Sequence, residues 1–257
     1  MRQTCPKPFP YRWLSLTLVL FVGACGAVLK DRPAAPPALN VLFVGNSFTY
    51  YNDSLHNHVR ALVRSASADG TAPGRMRALT LSGARLDEHL PGFGDRLQGA
   101  SWDWVILQGH SREAYDGDVL KFQDSVLQLT ALARKHNVRP ALFMTWAYTD
   151  EPEMTGIVSS NYRLAGARGE APVVPVGLAF HRATQEVAVP LRHDDQRHPT
   201  LAGTYLAACV FYSWLYEQPA TGLSYTAGLD PALAAQLQHI ASETVASFRK
   251  AQRPADA

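Results

Sequence analysis

The chain has few cysteines, little surplus charge and no long apolar run in its main part, and each shortage excludes a class of protein. Three cysteines in 257 residues cannot build a disulfide framework. A formal net charge of +2, from 24 Lys and Arg against 22 Asp and Glu, provides no basic surface for nucleic acid. The sequence also lacks internal repeats and low-complexity tracts. These shortages favour one ordinary domain that is large enough to bury a full core.

The first 24 residues have the pattern of a secretory signal peptide. Three basic residues precede the apolar segment 14–24, which is too short to predict a membrane span. The small residues Val22-Gly23-Ala24 are followed directly by Cys25. This junction resembles a bacterial lipoprotein signal, in which cleavage exposes the cysteine for lipid attachment. A plain signal peptide that is cut nearby is the alternative.

The following residues predict a spacer and then a domain. Residues 25–38 include several Ala and Pro and suit a tether, and residues 39–257 form the expected domain. We therefore expect a lipid-anchored protein of the bacterial cell envelope, periplasmic or surface-exposed, that contacts the membrane through Cys25 only. A secreted protein is the alternative. Cys209 lies in an apolar stretch and is predicted to be a buried small hydrophobe.

Strand-like and helix-like segments alternate along the domain. The predicted strands are Asn40 to Val44, Met76 to Leu81, Val105 to Leu107, Ala141 to Met144 and Pro172 to Val176. The predicted helices are Asp53 to Ser67, Leu86 to His89, Val119 to His136, Leu201 to Tyr216 and Pro231 to Lys250. Parallel strands need crossover helices, which then cover both faces of the sheet. The pattern predicts a flavodoxin-like α/β/α sandwich of three layers around a parallel sheet.

Ser47 follows the first predicted strand. The apolar run Val41 to Val44 is typical of a strand that is buried on both faces, and Gly45 allows a sharp turn after it. Open α/β sheets bind their ligands at the carboxyl ends of the strands. Ser47 is therefore either a nucleophile with an exposed hydroxyl or an ordinary serine of a strand-to-turn junction.

Asp195 and His198 lie three residues apart near the other end of the domain, just before the helix that starts at Leu201. One loop can then hold both side chains. The carboxylate can fix the imidazole tautomer while the other ring nitrogen reaches a serine, which is the arrangement of a Ser-His-Asp triad.

These two blocks, Gly45-Asn46-Ser47 and Asp195 to Pro199, resemble those of the SGNH (GDSL-type) hydrolases. The resemblance implies that Ser47, His198 and Asp195 are catalytic and that no cofactor or metal is needed. It also implies an oxyanion hole formed by the N–H groups of Ser47 and Gly83 and by an amide side chain. Asn46 stands where aspartate is usual in that family, so the side chain that supports the serine loop must be an amide instead of a carboxylate.

The amide donor is expected in the block Gln108-Gly109-His110-Ser111, which is similar to the acetylesterase-like branches of that family. Gln108 is the predicted donor because it leaves the end of a rigid strand, and His110 is the reserve. The resemblance implies a serine esterase that cleaves short acyl esters, with acetyl groups on glycans as the expected substrate. The alternative is an inactive, lipid-anchored protein that binds glycans on the same scaffold.

Other side chains allow further interpretations. His193, Asp194, Asp195 and His198 contain metal-ligating groups, but the triad already accounts for two of them. Trp146, Tyr148 and Tyr162 could stack on a sugar ring or simply pack, and Asn46 could also contact substrate. His56 and His58 are expected at the surface, with His56 near enough to Ser47 to border a pocket.

Overall fold

A computed structural model describes residues 36–72, 74–98 and 100–252, together with Met1. The chain divides into Met1–Pro33 and Ala34–Ala257, and the account below concerns the second unit. The predicted signal peptide, Cys25 and nearly all of the tether lie outside the described residues.

The core of the domain is a sheet of five parallel strands in the order β2-β1-β3-β4-β5. The strands are β1 (Val41–Gly45), β2 (Met76–Thr80), β3 (Trp104–Gln108), β4 (Arg139–Phe143) and β5 (Val173–Val174). The strand order reverses between β1 and β3, and a ligand crevice is expected at the carboxyl ends there. The predicted parallel sheet is confirmed.

Helices cover both faces of the sheet, as predicted. They are α1 (Ser47–Tyr50), α2 (Leu55–Ala66), α3 (Phe93–Gln98), α4 (Val119–Lys135), α5 (Met154–Arg168), α6 (Val176–Glu186), α7 (Leu201–Tyr216) and α8 (Pro231–Gln252). A 3₁₀ turn spans Leu86–His89. Helix α7 packs against α2, α6 and α8, and helix α4 packs against α3 and α5.

Helix α7 is the most deeply buried of these helices. Its residues are apolar on every side, so it lies against the sheet and under its neighbours. The ring of Phe211 meets the edges of Phe43 in β1 and Phe143 in β4, with centroids 5.1 and 5.0 Å away. Cys209 is fully buried, which raises the pKa of its thiol and confirms its predicted packing role.

Two regions differ from the sequence-based predictions. Ser47 lies in the short helix α1 rather than on a turn, and α2 begins only at Leu55. The strand predicted over Pro172 to Val176 is only Val173–Val174, because β5 is an edge strand that pairs with two residues of β4. Val176 starts helix α6 instead, and neither α5 nor α6 was predicted.

Candidate active site

The junction of β1 and α1 carries Ser47. Asn46 is the N-cap residue of α1, and its side-chain oxygen accepts a hydrogen bond from the Phe48 N–H at 3.1 Å. Its amide nitrogen donates to the Ala84 carbonyl at 2.9 Å. The Asn46 side chain is thus committed to supporting the serine loop, as predicted, rather than to contacting substrate. Ser47 is the first residue of the helix, where an N–H has no intrahelical partner.

Ser47, His198 and Asp195 form one hydrogen-bonded chain. The Ser47 Oγ lies 2.9 Å from His198 Nε2, and His198 Nδ1 is hydrogen-bonded to Asp195 Oδ2. The other carboxylate oxygen of Asp195 accepts the N–H groups of His198 at 2.9 Å and Arg197 at 3.1 Å. The structure therefore brings together three residues that the sequence placed at opposite ends of the domain.

The hydrogen bonds to Asp195 keep its carboxylate ionised. Burial opposes ionisation, but the bonds from the His198 ring and from the N–H groups of His198 and Arg197 outweigh it. Together they lower the pKa of Asp195 to about 2. Asp195 is therefore negatively charged at every pH above the strongly acidic range, as a partner for the imidazole requires.

Trp146 holds the loop that carries Asp195 and His198. Its indole N–H donates to the Arg197 carbonyl at 2.9 Å. Its ring is stacked between those of Phe48 and Phe180, with centroids 4.3 and 4.1 Å away, and is 1% exposed. Both faces of the indole are therefore occupied. The interpretation of Trp146 as a sugar-stacking residue is corrected, because it packs inside the protein and supports the loop.

Two residues that follow Ser47 also position the histidine, and the sequence analysis missed them. The Tyr51 ring stacks on the His198 ring at 4.4 Å with an angle of 7° between planes. The Asn52 amide donates to the Pro199 carbonyl at 2.8 Å. Their closeness to Ser47 in sequence was the one signal that could have pointed to them.

A cavity of about 250 Å³ opens beside the serine. It is lined by the residues 46–48, 50, 51, 82, 83, 110, 111, 197 and 198. Gly83 lies in this lining, in the loop after β2, with φ of +66°. That conformation is easy for glycine and strained for other residues, and it leaves the Gly83 backbone open to the cavity. Gly83 is thus where its predicted role requires it.

The prediction that Gln108 donates into this cavity needs correction. Gln108 is 1% exposed, and its amide N–H₂ group donates to the Asn46 side chain at 2.8 Å and the Gly109 carbonyl at 2.7 Å. Its oxygen accepts the Asn46 N–H at 3.1 Å and the Thr49 hydroxyl at 2.8 Å. Gln108 joins the ends of β3 and β1, and no donor remains for a substrate.

His110, the reserve candidate, lies in the cavity lining instead. Its Nδ1 accepts the Arg112 N–H at 3.4 Å, which leaves the proton of the neutral ring on Nε2. Burial, followed by the charges of Arg85 and Arg197, lowers the pKa of His110. The ring is therefore a neutral N–H donor at neutral pH.

Glu113 fixes the backbone around His110. It is fully buried and accepts the N–H groups of His110 at 2.7 Å and Leu86 at 3.2 Å. Burial raises the pKa of Glu113. This one side chain ties the loop after β3 to the loop that contains Gly83, so both sides of the cavity are held together.

Tyr148 and Tyr162, the other aromatic residues singled out, do not face the cavity. Tyr148 is 9% exposed, and its hydroxyl bonds to Ser111 at 2.7 Å. Tyr162 is fully buried in α5, and its hydroxyl accepts the Gly109 N–H at 3.2 Å. Both are packing residues behind the lining.

The structure also places the two histidines, His56 and His58, that were expected at the surface. His58 is buried against Tyr225 and Asn52, so its surface assignment is wrong. His56 bonds to Ser54 and is not part of the cavity lining. Within the described ranges, no group of three or more His, Cys, Asp or Glu side chains could hold a metal ion. The loop with His193 and Asp194 lies within those ranges, so it has no such group.

No helix in the part of the chain that the structure describes is long and apolar enough to cross a membrane.

Comparison with known proteins gives matches at the level of structure. No family model matches the sequence, and no curated protein is significantly similar to it. A DUF4886 family protein from Bacteroides uniformis superposes with a TM-score of 0.65 at 18% identity, over 82% of this chain and 95% of that one.

Two further structures carry functional descriptions. A candidate SGNH hydrolase from Slackia heliotrinireducens matches with a TM-score of 0.58 at 24% identity, over 69% of this chain and 98% of its own. Axe2, an acetylxylan esterase from Geobacillus stearothermophilus, matches at 0.55 and 15% identity, over 67% of this chain and 92% of its own. The parallel sheet, its covering helices and these matches establish that the chain has the fold of the SGNH hydrolases.

Proposed function

We propose that this protein is a serine ester hydrolase that removes short acyl groups. The observation that carries the proposal is the hydrogen-bonded chain from Ser47 through His198 to Asp195 at the wall of a cavity. The SGNH-hydrolase fold supports the proposal, because the hydrogen-bonded triad lies at the carboxyl ends of the strands, where such a fold binds ligands.

The reaction follows from this arrangement. Ser47 Oγ attacks the ester carbonyl while His198 Nε2 takes the hydroxyl proton, and His198 then gives that proton to the leaving alkoxide. Water, activated by the same histidine, cleaves the acyl-enzyme and restores Ser47. Asp195 holds the proton on His198 Nδ1 and stabilises the imidazolium that forms in each half of the reaction.

The oxyanion of each tetrahedral intermediate needs donors on the side of the cavity opposite His198. We assign this role to the N–H groups of Ser47 and Gly83 and to His110 Nε2. The hydrogen bond from Arg112 to His110 Nδ1 supports the last assignment, because it fixes the tautomer that donates. Losing one such donor typically lowers the rate by about a hundred- to thousandfold.

The size of the site favours a small acyl group. A cavity of about 250 Å³ that contains aromatic walls has room for an acetyl or similarly short chain. The fold shared with an acetylxylan esterase supports acetyl groups on a glycan as the substrate. We further propose that Cys25 carries a lipid, which would place the enzyme in the bacterial cell envelope.

The proposal is tested by steady-state hydrolysis of 4-nitrophenyl acetate and of acetylated oligosaccharides. Ser47→Ala and His198→Ala should each lower kcat at least a thousandfold, because each removes one half of the nucleophilic pair. Ser160→Ala is the matched control, since the exposed Ser160 hydroxyl donates to the Gly156 carbonyl within helix α5 and lies outside the cavity lining. Circular dichroism should show that all three variants are folded.

Activity of Ser47→Ala within a few-fold of the wild type would refute the mechanism. A wild type that binds acetylated glycans and hydrolyses no ester would favour the alternative, a binding protein on a hydrolase scaffold.

A further inference from the structure

Arg197 gives the cavity beside Ser47 a positive charge. Among the residues that line this cavity, Arg197 is the one with a permanent charge, and none is Asp or Glu. The rest are neutral polar, aromatic or glycine residues, apart from the two histidines. Asp195 forms an ion pair with Arg197 from outside this lining, with Asp195 Oδ2 3.9 Å from Arg197 Nε, so Arg197 is the one permanent charge that the cavity wall itself presents to a ligand.

The backbone of Arg197 is held firmly while its side chain stays open. The Arg197 carbonyl accepts the Trp146 indole N–H at 2.9 Å, and its N–H donates to Asp195 at 3.1 Å. The side chain is 51% exposed. The Arg197 backbone is therefore fixed beside His198, and the exposed guanidinium group can reach a bound molecule.

The guanidinium group has donors to spare. Its nearest carboxylate is that of Asp195, with Arg197 Nε and Asp195 Oδ2 3.9 Å apart, which is beyond hydrogen-bond distance. Asp195 already accepts three hydrogen bonds, from the His198 ring and from two backbone N–H groups. A guanidinium group carries five donors in a planar fork that fits a carboxylate with two parallel bonds.

We propose that Arg197 binds a carboxylate group of the substrate, so that the preferred esters are acyl groups on acidic sugars such as uronic acids. This inference rests on the proposed ester hydrolysis and names the class of alcohol that is released. Tyr50 lines the same cavity and is 37% exposed, so it can contact a sugar ring, whereas the Tyr51 ring is already stacked on His198.

The test compares methyl galacturonoside and methyl galactoside, both acetylated on the same ring hydroxyl, which differ only at C6, a carboxylate in the first and a hydroxymethyl group in the second. The wild type should have a kcat/KM at least tenfold higher for the acidic substrate, as a charge-assisted hydrogen bond allows. In Arg197→Ala the ratio of the kcat/KM values for the acidic and the neutral sugar should fall to about one. Arg197→Lys should keep part of the preference for the acidic sugar, because an ammonium group retains the positive charge but cannot form two parallel hydrogen bonds to a carboxylate.

Arg64→Ala is the matched control, because it also removes one cation, from the exposed last turn of α2 and outside the cavity lining. It should leave both values unchanged. Equal kcat/KM of the wild type on the two sugars would overturn the carboxylate site and leave the ester hydrolase intact. An equal loss on both substrates in Arg197→Ala would show that Arg197 only supports Asp195. If the wild type hydrolysed no ester at all, the proposed function would fail and this inference with it.

Discussion

Gln108 and His110 are two residues apart and do different work. Gln108 uses both ends of its amide to join Asn46 to the end of β3, whereas His110 borders the cavity with its Nε2 protonated. Substitution of Gln108 should therefore lower stability, whereas substitution of His110 should lower turnover.

We expect His110→Ala to lower kcat about a hundredfold, the cost of one lost oxyanion donor, with little change in thermal stability. Gln108→Ala should instead lower the free energy of unfolding by about 1–3 kcal/mol, since it leaves the buried Asn46 N–H and the buried Thr49 hydroxyl without their partner. The measurements are steady-state kinetics and urea unfolding on each variant. A His110→Ala enzyme with nearly full turnover would contradict the assignment.

The misplacement of the amide donor shows what a sequence can and cannot reveal about single residues. Ser47, Asp195 and His198 were identified because their types and spacing suit one known chemistry. The direction in which Gln108 points depends on Asn46 and Thr49, which come from another strand and helix. For Trp146 the sequence allowed both sugar stacking and packing, because the two rings that enclose it are far away in sequence.

The junction of β1 and α1 is the element on which the site depends. A Cβ at Gly45 would lie 2.4 Å from the Gln108 side-chain oxygen and 2.9 Å from the Thr49 hydroxyl. Glycine is needed here for this close approach, and not for an unusual turn. The junction thus packs one polar network, formed by Asn46, Thr49 and Gln108, against the end of β1 with no room for a side chain at position 45.

Gly45→Ala should therefore lower the free energy of unfolding by about 1–3 kcal/mol, the typical cost of an overpacked interior. Gly156→Ala is the control, because no atom lies within 4 Å of a Cβ built there in helix α5. Its stability should stay equal or rise, since alanine favours helix more than glycine does. Chemical denaturation of both variants measures the difference, and a neutral Gly45→Ala would show that the junction is looser than described.

Among the elements, buried strands and strongly apolar helices were predictable. Helix α7 has the predicted bounds because its residues are apolar throughout. Helix α5 was missed because its sequence mixes glycines with polar residues and shows little periodicity. The end of β5 was misplaced because a Val-rich segment suits a strand, while pairing with β4 alone limits it to two residues.

At the scale of the whole molecule, the fold of the domain and its place in the cell depend on different parts of the sequence. The fold was predictable because alternating strands and helices allow few topologies. The position of the domain in the cell depends on Cys25, which lies outside the described residues. We expect labelled palmitate to enter the wild type and to be absent from Cys25→Ser when both are produced in a bacterial host. A mature amino terminus downstream of Cys25, found by mass spectrometry, would exclude the anchor.

The most direct test of the central claim is covalent labelling with a fluorophosphonate, followed by peptide mass spectrometry. The probe reacts with a serine only when a neighbouring base activates it. We expect one phosphonylated residue, Ser47, with labelling abolished in His198→Ala and unchanged in Ser160→Ala. Absence of labelling in the wild type, or labelling at a different serine, would contradict it.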